Sequence, residues 1–168
     1  WASTYYSQEF AAGVMFVGIS NNISKFGTTD IPNEMYLVHE RKWPWEEWDH
    51  LLERSPIYHV DKAETPLLIV HGDADGVVSV RNAAATAQLW AGALGARAGA
   101  VRTLQRGQRY PMRVTEFKAR GRTVVALREV VGLAHAWSGG AAQRPYSDPA
   151  GPDASALIWA FVARQFGK

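Results

Sequence analysis

The sequence predicts an α/β protein in which helices flank a mostly parallel β-sheet. Two short apolar segments, AAGVMFVGIS (11–20) and PLLIVHG (66–72), have the composition of buried parallel strands. Segments with helical patterning lie between and after them, and strands that alternate with helices favour a parallel sheet. No internal repeat or low-complexity linker divides the 168 residues, so we expect a single domain.

The first half of the chain is expected to place its helices around the two strands. Helices are predicted in three segments: 1–10, 31–42 and 44–55. The third would begin near Pro44 and carry Glu46 and Glu47 in its first turn, where the helix dipole favours acidic side chains. We expect Trp45 and Trp48 to anchor this helix to the sheet. Residues 21–30 are rich in turn formers.

The second half predicts a helix, a β-hairpin and a final helix. The alanine-rich segment 79–95 ends at a glycine, as helices commonly do. Residues 111–119 and 123–133 predict the hairpin strands, joined by Arg120-Gly121-Arg122. In the segment 153–168, apolar residues recur at helical spacing behind a proline.

Composition and charge exclude several classes of protein. Hydrophobic residues make up 47% and the net charge is +2, as in an ordinary globular protein. The arginines and lysines between residues 97 and 128 are spaced rather than clustered, which favours a solvated face over a nucleic-acid surface. Apolar runs of about 5–8 residues are too short to span a membrane. The absence of cysteine excludes thiolate chemistry and suits a cytoplasmic location.

Polar residues follow two of the predicted strands and suggest an acid–base pair. Asp73 and Asp75 lie in HGDADGVVS (71–79), and His135 lies in GLAHAWSGG (132–140). Because parallel strands end at one edge of a sheet, an aspartate and the histidine can meet there. The carboxylate would then accept a hydrogen bond from one ring nitrogen, and the other nitrogen would act as a base. The open alternative is that the aspartates form turns and His135 is a surface residue.

Longer stretches of the chain resemble the α/β-hydrolase superfamily. The stretches 11–32 and 45–72 are similar to prolyl oligopeptidase-like serine peptidases, and TPLLIVHGDADGVVS resembles a hydrolase strand with its acid loop. EVVGLAHAWSGG and YSDPAGPDASALIWAF are similar to the esterase and polyhydroxybutyrate depolymerase family. The resemblance implies a partial α/β-hydrolase fold, with Asp75 as catalytic acid and His135 as catalytic histidine.

The two resemblances meet near residues 71–80. We therefore expect one incomplete hydrolase domain over residues 1–168, with a family junction at that point. A recombined metagenomic gene and an engineered chimera would both give this pattern. The chain begins at Trp1 without an initiator methionine or signal-peptide pattern, so we expect sequence upstream.

The nucleophile is the missing member of the expected triad. The resemblance implies a Gly-x-Ser-x-Gly elbow, and the sequence contains none. Ser20 is the best remaining candidate, whereas Ser79 is expected to cap a helix and Ser138 to be structural. By resemblance, Trp137 and Tyr146 would lie near the substrate.

Two functions remain open at this point. One is a serine hydrolase that acts on carboxylic esters, or on peptides or lactones, and needs no cofactor or metal. Asp73, Asp75 and Asp148 provide too few oxygen ligands for a calcium site. The other is a non-catalytic binding or assembly module. A half-sheet leaves GVMFV (13–17) near an open edge, so we expect a homo-oligomer or a complementing chain.

Overall fold

The structure, a computed structural model, describes residues 1–166 and contains one mixed β-sheet with a helix on each face. The strands lie in the order β1-β2-β6-β5-β3, and β4 also pairs with β5. Their bounds are β1 Gly13–Phe16, β2 Leu67–Gly72, β3 Arg97–Ala98, β4 Arg102–Leu104, β5 Met112–Ala119 and β6 Arg122–Val130. A separate ribbon pairs β7 (Trp137–Ser138) with β8 (Ser147–Asp148).

The parallel half of the sheet consists of β1, β2 and β6. β2 pairs with both neighbours in parallel, with Gly13 opposite Leu67 and Gly72 opposite Val130. Every residue of β2 is buried, as expected of a central strand covered on both faces. β1 lies at the end of the sheet and is only partly buried, and Val14 is 39% exposed.

The antiparallel half begins at the predicted hairpin. Ala119 pairs with Arg122, so the turn contains only Arg120 and Gly121. Both residues have positive φ, 50° and 78°, which is the geometry of the two-residue turn whose twist matches the strands. The strands β3 and β4, which add to β5, were not predicted because they are only two and three residues long and exposed.

The helices have the following bounds: α1 Ala2–Tyr5, α2 Asn22–Thr28, α3 Pro32–Glu34, α4 Trp48–Glu53, α5 Val80–Ala93 and α6 Ala154–Phe166. 3₁₀ turns cover Ser7–Glu9 and Pro56–Lys62, and a π-helical turn covers Met35–Glu40. The predicted helix 153–168 therefore matches α6, and its last two residues lie outside the described residues.

Two apolar layers hold the helices on the sheet. On one face, Ala83, Ala87 and Trp90 of α5 pack in the cluster that includes Ile69 of β2. On the other face, Phe161 of α6 belongs to the cluster that contains Leu68, Val70, Val114 and Val130. Alternate residues of β2 thus serve opposite layers, as the two-residue period of a strand requires.

The segment 21–55 differs from its prediction. Asn21 caps the unpredicted helix α2, with its side chain accepting hydrogen bonds from Ile23 N and Ser24 N at 3.0 Å. The predicted helix 44–55 begins only at Trp48, so Pro44 and both glutamates precede it.

The prediction that Trp45 and Trp48 anchor α4 to the sheet is wrong, because they are 76% and 54% exposed. The buried residue of α4 is Leu51, which is fully buried, and Trp45 stacks on Trp43.

The observed architecture is the predicted one, an α/β fold with a partly parallel sheet flanked by helices. None of the helices among residues 1–166 combines the length and apolar character that crossing a bilayer requires.

Candidate functional site

The candidate site lies where β2 and β6 end side by side. Gly72 and Val130 are the last residues of the two parallel strands and are paired in register. The loop after β2 carries Asp75, and the loop after β6 carries His135. The strand pairing therefore brings together two residues that are 60 positions apart.

The two side chains form a direct hydrogen bond. Nδ1 of His135 lies 2.9 Å from Oδ2 of Asp75. The Asp75 side chain is fully buried, whereas that of His135 is 32% exposed. The imidazole is thus held from the protein side and remains accessible from the solvent side.

Asp75 is held by its own loop as well as by the histidine. Its Oδ1 accepts hydrogen bonds from Val77 N and Val78 N, both at 2.9 Å. Burial acts to raise the pKa of the Asp75 carboxyl, but the hydrogen bonds from Val78 N, His135 and Val77 N outweigh it. The pKa of Asp75 is therefore lowered, and the group is a carboxylate at neutral pH.

The ionised state of Asp75 fixes the tautomer of His135. A carboxylate only accepts hydrogen bonds, so Nδ1 of His135 must carry the hydrogen. In the neutral ring Nε2 then carries a lone pair, and within residues 1–166 it has no hydrogen-bond partner. This arrangement can take up a proton at Nε2 and stabilise the resulting imidazolium through the carboxylate.

Asp73 ties the two loops together, a role that the sequence did not reveal. Its Oδ1 accepts from Gly132 N at 2.7 Å, and its Oδ2 lies 3.1 Å from Nη2 of Arg113. Its backbone N donates to Val130 O at 3.0 Å. Asp73 therefore couples the acid loop to the segment that leads to His135.

The close approach of these loops requires glycine at position 72. A Cβ atom at Gly72 would lie 2.0 Å from the carbonyl oxygen of Leu133 and 3.0 Å from that of Ala134. The backbone could not accommodate this without moving the histidine loop. The sequence shows a glycine between a strand and two aspartates. It does not show that this glycine approaches the backbone of Leu133 and Ala134.

Aromatic side chains lie beside the imidazole. Trp137, two residues after His135, stacks on Phe16 with ring centroids 4.7 Å apart. The ring of Tyr146 lies nearly perpendicular to that of His135, with centroids 6.2 Å apart, and Tyr146 is 76% exposed. Trp137 N donates to Tyr146 O at 2.7 Å, so the β7–β8 ribbon holds both rings near the site. Phe16 is an addition to the residues predicted from sequence.

The structure does not bring the candidate nucleophile to the histidine. Ser20 is buried, and its Oγ accepts a hydrogen bond from Thr86 Oγ1 of α5 at 2.8 Å. Ser138 donates to Pro152 O at 2.6 Å and is structural, as expected. Ser79 is the N-cap residue of α5, as predicted, but its side chain makes no capping hydrogen bond.

The aspartates considered for calcium have other partners. Asp73 and Asp75 bind the two loops, and Asp148 Oδ1 accepts from Ala150 N at 2.9 Å. In the described part of the chain, no three His, Cys, Asp or Glu side chains are grouped so that they could hold a metal ion.

Comparison with known families identifies residues 1–102 as a match to the prolyl oligopeptidase family. This match covers more than half of the chain. No curated protein is significantly similar to the chain.

Several solved peptidase structures resemble parts of the chain. An acylaminoacyl peptidase from Pyrococcus horikoshii is 23% identical over 54% of this chain and 14% of its own, with a TM-score of 0.46. A puromycin-hydrolyzing peptidase from Mycobacterium tuberculosis is 21% identical over 74% of this chain and 15% of its own, with a TM-score of 0.46. A puromycin hydrolase is 15% identical over 75% and 15%, with a TM-score of 0.49. The chain thus spans about one seventh of the length of these peptidases.

Replacement of Asp75 by asparagine should reverse the tautomer of His135. The asparagine carbonyl can still accept from Val77 N and Val78 N, but its NH₂ group now faces Nδ1 and favours the Nε2–H form. Long-range ¹H–¹⁵N correlation spectra should show the Nδ1–H form in the parent and the Nε2–H form in Asp75→Asn. His50, which has no contact with Asp75, serves as internal control. An unchanged His135 pattern would contradict the assigned hydrogen bond.

Replacement of Asp75 by alanine should destabilise the fold in a pH-dependent way. The variant loses hydrogen bonds to a charged acceptor, for which about 1.5–3 kcal/mol is expected at pH 7. Because the folded pKa of Asp75 is lowered, this stabilisation is present above the unfolded pKa of about 3.9 and is lost as pH falls through the folded value.

Urea unfolding of parent and variant between pH 7 and pH 2.5 measures this difference. The exposed Asp30, replaced by alanine, is the matched control and should change the free energy of unfolding by less than about 0.5 kcal/mol. A pH-independent difference for Asp75→Ala would show that the carboxylate charge does not contribute.

Proposed function

The chain belongs to the prolyl oligopeptidase family, and we propose that it forms the acid-and-histidine part of a serine hydrolase active site. The observation that carries this proposal is the 2.9 Å contact between Asp75 and His135 at the ends of two parallel strands. Family membership supports acyl-transfer chemistry of the serine hydrolase type. The role of each residue is inferred from geometry and electrostatics.

In the proposed reaction, His135 transfers protons and Asp75 orients it. Nε2 of His135 accepts the proton of a serine hydroxyl as the serine oxygen bonds to the substrate carbonyl carbon. The resulting imidazolium gives that proton to the departing alcohol or amine as the acyl bond breaks. Water then repeats the sequence, which releases the acid and restores the serine. Asp75 remains ionised throughout and stabilises the imidazolium.

We propose that the serine is supplied from outside these 168 residues. The sequence contains no Gly-x-Ser-x-Gly elbow, and Ser20 is hydrogen-bonded to Thr86 rather than to His135. The donors that stabilise the oxyanion would accompany that serine, because an elbow contributes one of them through its backbone. Activity would therefore require a further segment of polypeptide or a complementing chain.

Carboxylic esters are the proposed substrates, and peptides and lactones remain alternatives with the same chemistry. The segment around His135 and the segment 146–161 resemble esterases and polyhydroxybutyrate depolymerases. Trp137, Phe16 and Tyr146 provide aromatic surface beside the imidazole, which suits the apolar part of an acyl group. We place the reaction in the cytoplasm, on the cysteine-free composition alone.

A non-catalytic assembly module is the second candidate, and the open edge of β1 favours it. Gly13 N and Val17 N donate to β2, so Val14 N points away from the sheet. On that side β1 has no neighbouring strand in the described part of the chain. We propose that this edge pairs with a strand from a second copy or a complementing chain.

Activity of the full-length protein should depend on His135. With p-nitrophenyl butyrate, His135→Ala is expected to lower kcat/KM by at least about 10³-fold, because the base is lost. Ser20→Ala should stay within about threefold of the parent, since Ser20 does not contact His135. A fluorophosphonate probe should label one serine, and that serine should not be Ser20.

Two outcomes would overturn the hydrolase proposal. A fast parent rate that His135→Ala leaves unchanged would remove His135 from the reaction. A folded full-length protein that the probe does not label would favour the assembly module. Parallel assays with the butyrate ester and an alanine p-nitroanilide test the preference for esters, which a faster anilide reaction would contradict.

The edge of β1 should control self-association. Val14→Pro removes the outward-facing N–H while the bonds from Gly13 N and Val17 N to β2 remain. Light scattering should show a dimer or larger species for the parent and a smaller species for Val14→Pro. Val14→Thr, which keeps the N–H, is the matched control. A monomeric parent, or an assembly that Val14→Pro leaves intact, would contradict pairing at this edge.

A further inference from the structure

A cavity lined by arginines lies between the sheet and α6, apart from the Asp75–His135 site. Its volume is about 320 Å³. Four arginines line it, Arg106, Arg122, Arg128 and Arg164. Neither Asp75 nor His135 contributes to it. The cavity faces the α6 side of the sheet, whereas the candidate active site lies beyond the ends of β2 and β6.

Arg128 is the most buried of these arginines. Its side chain is only 13% exposed, and burial acts first to lower its pKa, opposed by Glu116. A guanidinium has five N–H donors. Within residues 1–166 Arg128 makes two hydrogen bonds, from Nη2 to Glu116 Oε1 at 3.3 Å and from Nη1 to Leu127 O at 3.4 Å. Both are long, so a buried cation has unused donors beside a cavity.

The cavity has an excess of positive charge. Glu116 is its only carboxylate among the described residues that line it. Glu116 also contacts Arg102, with Oε2 lying 3.5 Å from Nη2. One carboxylate is therefore shared between two arginines, while three more arginines line the same cavity. Arg128 is a cation that burial destabilises and that has other positive charges nearby. It is stabilised when an anion enters the cavity.

Thr123 and Gln165 are the uncharged polar residues of the lining, and the remaining residues are apolar. Leu104, Met112, Leu157 and Phe161 contribute hydrocarbon surface, and a second cavity of about 380 Å³ continues along α6. The two cavities share Leu104, Arg106, Met112, Leu157 and Ala160. Apolar side chains that lie beside a largely buried arginine are complementary to a molecule with a hydrocarbon tail and one anionic group.

We propose that this cavity binds a monocarboxylate with a medium-length hydrocarbon chain. The carboxylate pairs with the guanidinium of Arg128, whose planar fork matches two carboxylate oxygens. The hydrocarbon chain lies along Met112 and Leu157 beneath α6. This site is independent of the proposed hydrolase activity, because binding requires neither His135 nor a serine nucleophile.

Titration of the protein with sodium octanoate tests the proposal. Calorimetry should show one site, and the Arg128 Nε–Hε resonance should shift on binding. Octanol, which lacks the charge, and inorganic phosphate, which lacks the tail, should each bind at least about tenfold more weakly. Equal binding of octanol or of phosphate would overturn the proposed ligand class.

Substitutions in the cavity lining should change the affinity for octanoate in opposite directions. Arg128→Gln should weaken octanoate binding at least about tenfold, and the exposed Arg164→Gln should weaken it by about threefold. Glu116→Gln frees two guanidiniums and should strengthen binding by about threefold. Arg81→Gln, which changes the same charge on α5, should leave binding unchanged, as should His135→Ala.

The pattern of variants decides the outcome even if Arg128→Gln does not fold. Arg164→Gln and Glu116→Gln alter partly or fully exposed groups at the same cavity and must shift the affinity in opposite directions. Weaker binding in Glu116→Gln, or loss of binding in His135→Ala, would place octanoate elsewhere and overturn the proposal.

Discussion

The parallel pairing of β2 with β6 is the constraint on which the candidate site depends. It places Gly72 beside Val130, so the loops that follow the two strands emerge at one edge of the sheet. The loops can touch only because position 72 has no side chain: the carbonyl oxygen of Leu133 occupies the space that a Cβ would need. This close backbone contact allows Asp75 and His135 to meet.

Two aspartates in the same loop have different tasks. Asp75 is buried and directed at the imidazole, with its second oxygen held by Val77 N and Val78 N. Asp73 binds Gly132 N and Arg113, so it fixes the position of one loop relative to the other. Asp75 thus provides a negative charge beside the histidine, whereas Asp73 fixes the relative position of the two loops. This division explains why a stretch as short as HGDAD contains two carboxylates without forming a metal site.

The two faces of β6 and its carboxyl end lie in three different surroundings. Its α5 face contributes Val125 and Leu127 to an apolar core, and its end leads to the histidine. Its α6 face contributes Ala126 and Val130 to the second core and also carries Arg128, which is buried beside Glu116. An ion pair that is largely removed from water is costly unless further partners satisfy it. The arginine cavity is therefore a place where an external anion would be stabilising, separate from the acid–histidine pair.

The sequence by itself determined the strands β2, β5 and β6, the helices α5 and α6, and the candidates Asp75 and His135. These features are encoded locally, by apolar runs, helical spacing and polar residues directly after strands. The helix α2 was not predicted although its cap is local, with Asn21 accepting hydrogen bonds from Ile23 N and Ser24 N, because the segment 21–30 is rich in turn formers. The late start of α4 and the exposure of Trp45 and Trp48 were also not determined, because which side chains of a helix are buried depends on neighbours distant in sequence. The roles of Asp73, Gly72 and Phe16 were decided only by tertiary structure. So was the position of four arginines around one cavity, which come from the segment after β4, from β6 and from α6. The type of a residue limits the contacts that it can make. Which of those contacts form depends on the register of the sheet, because the register sets which residues are neighbours.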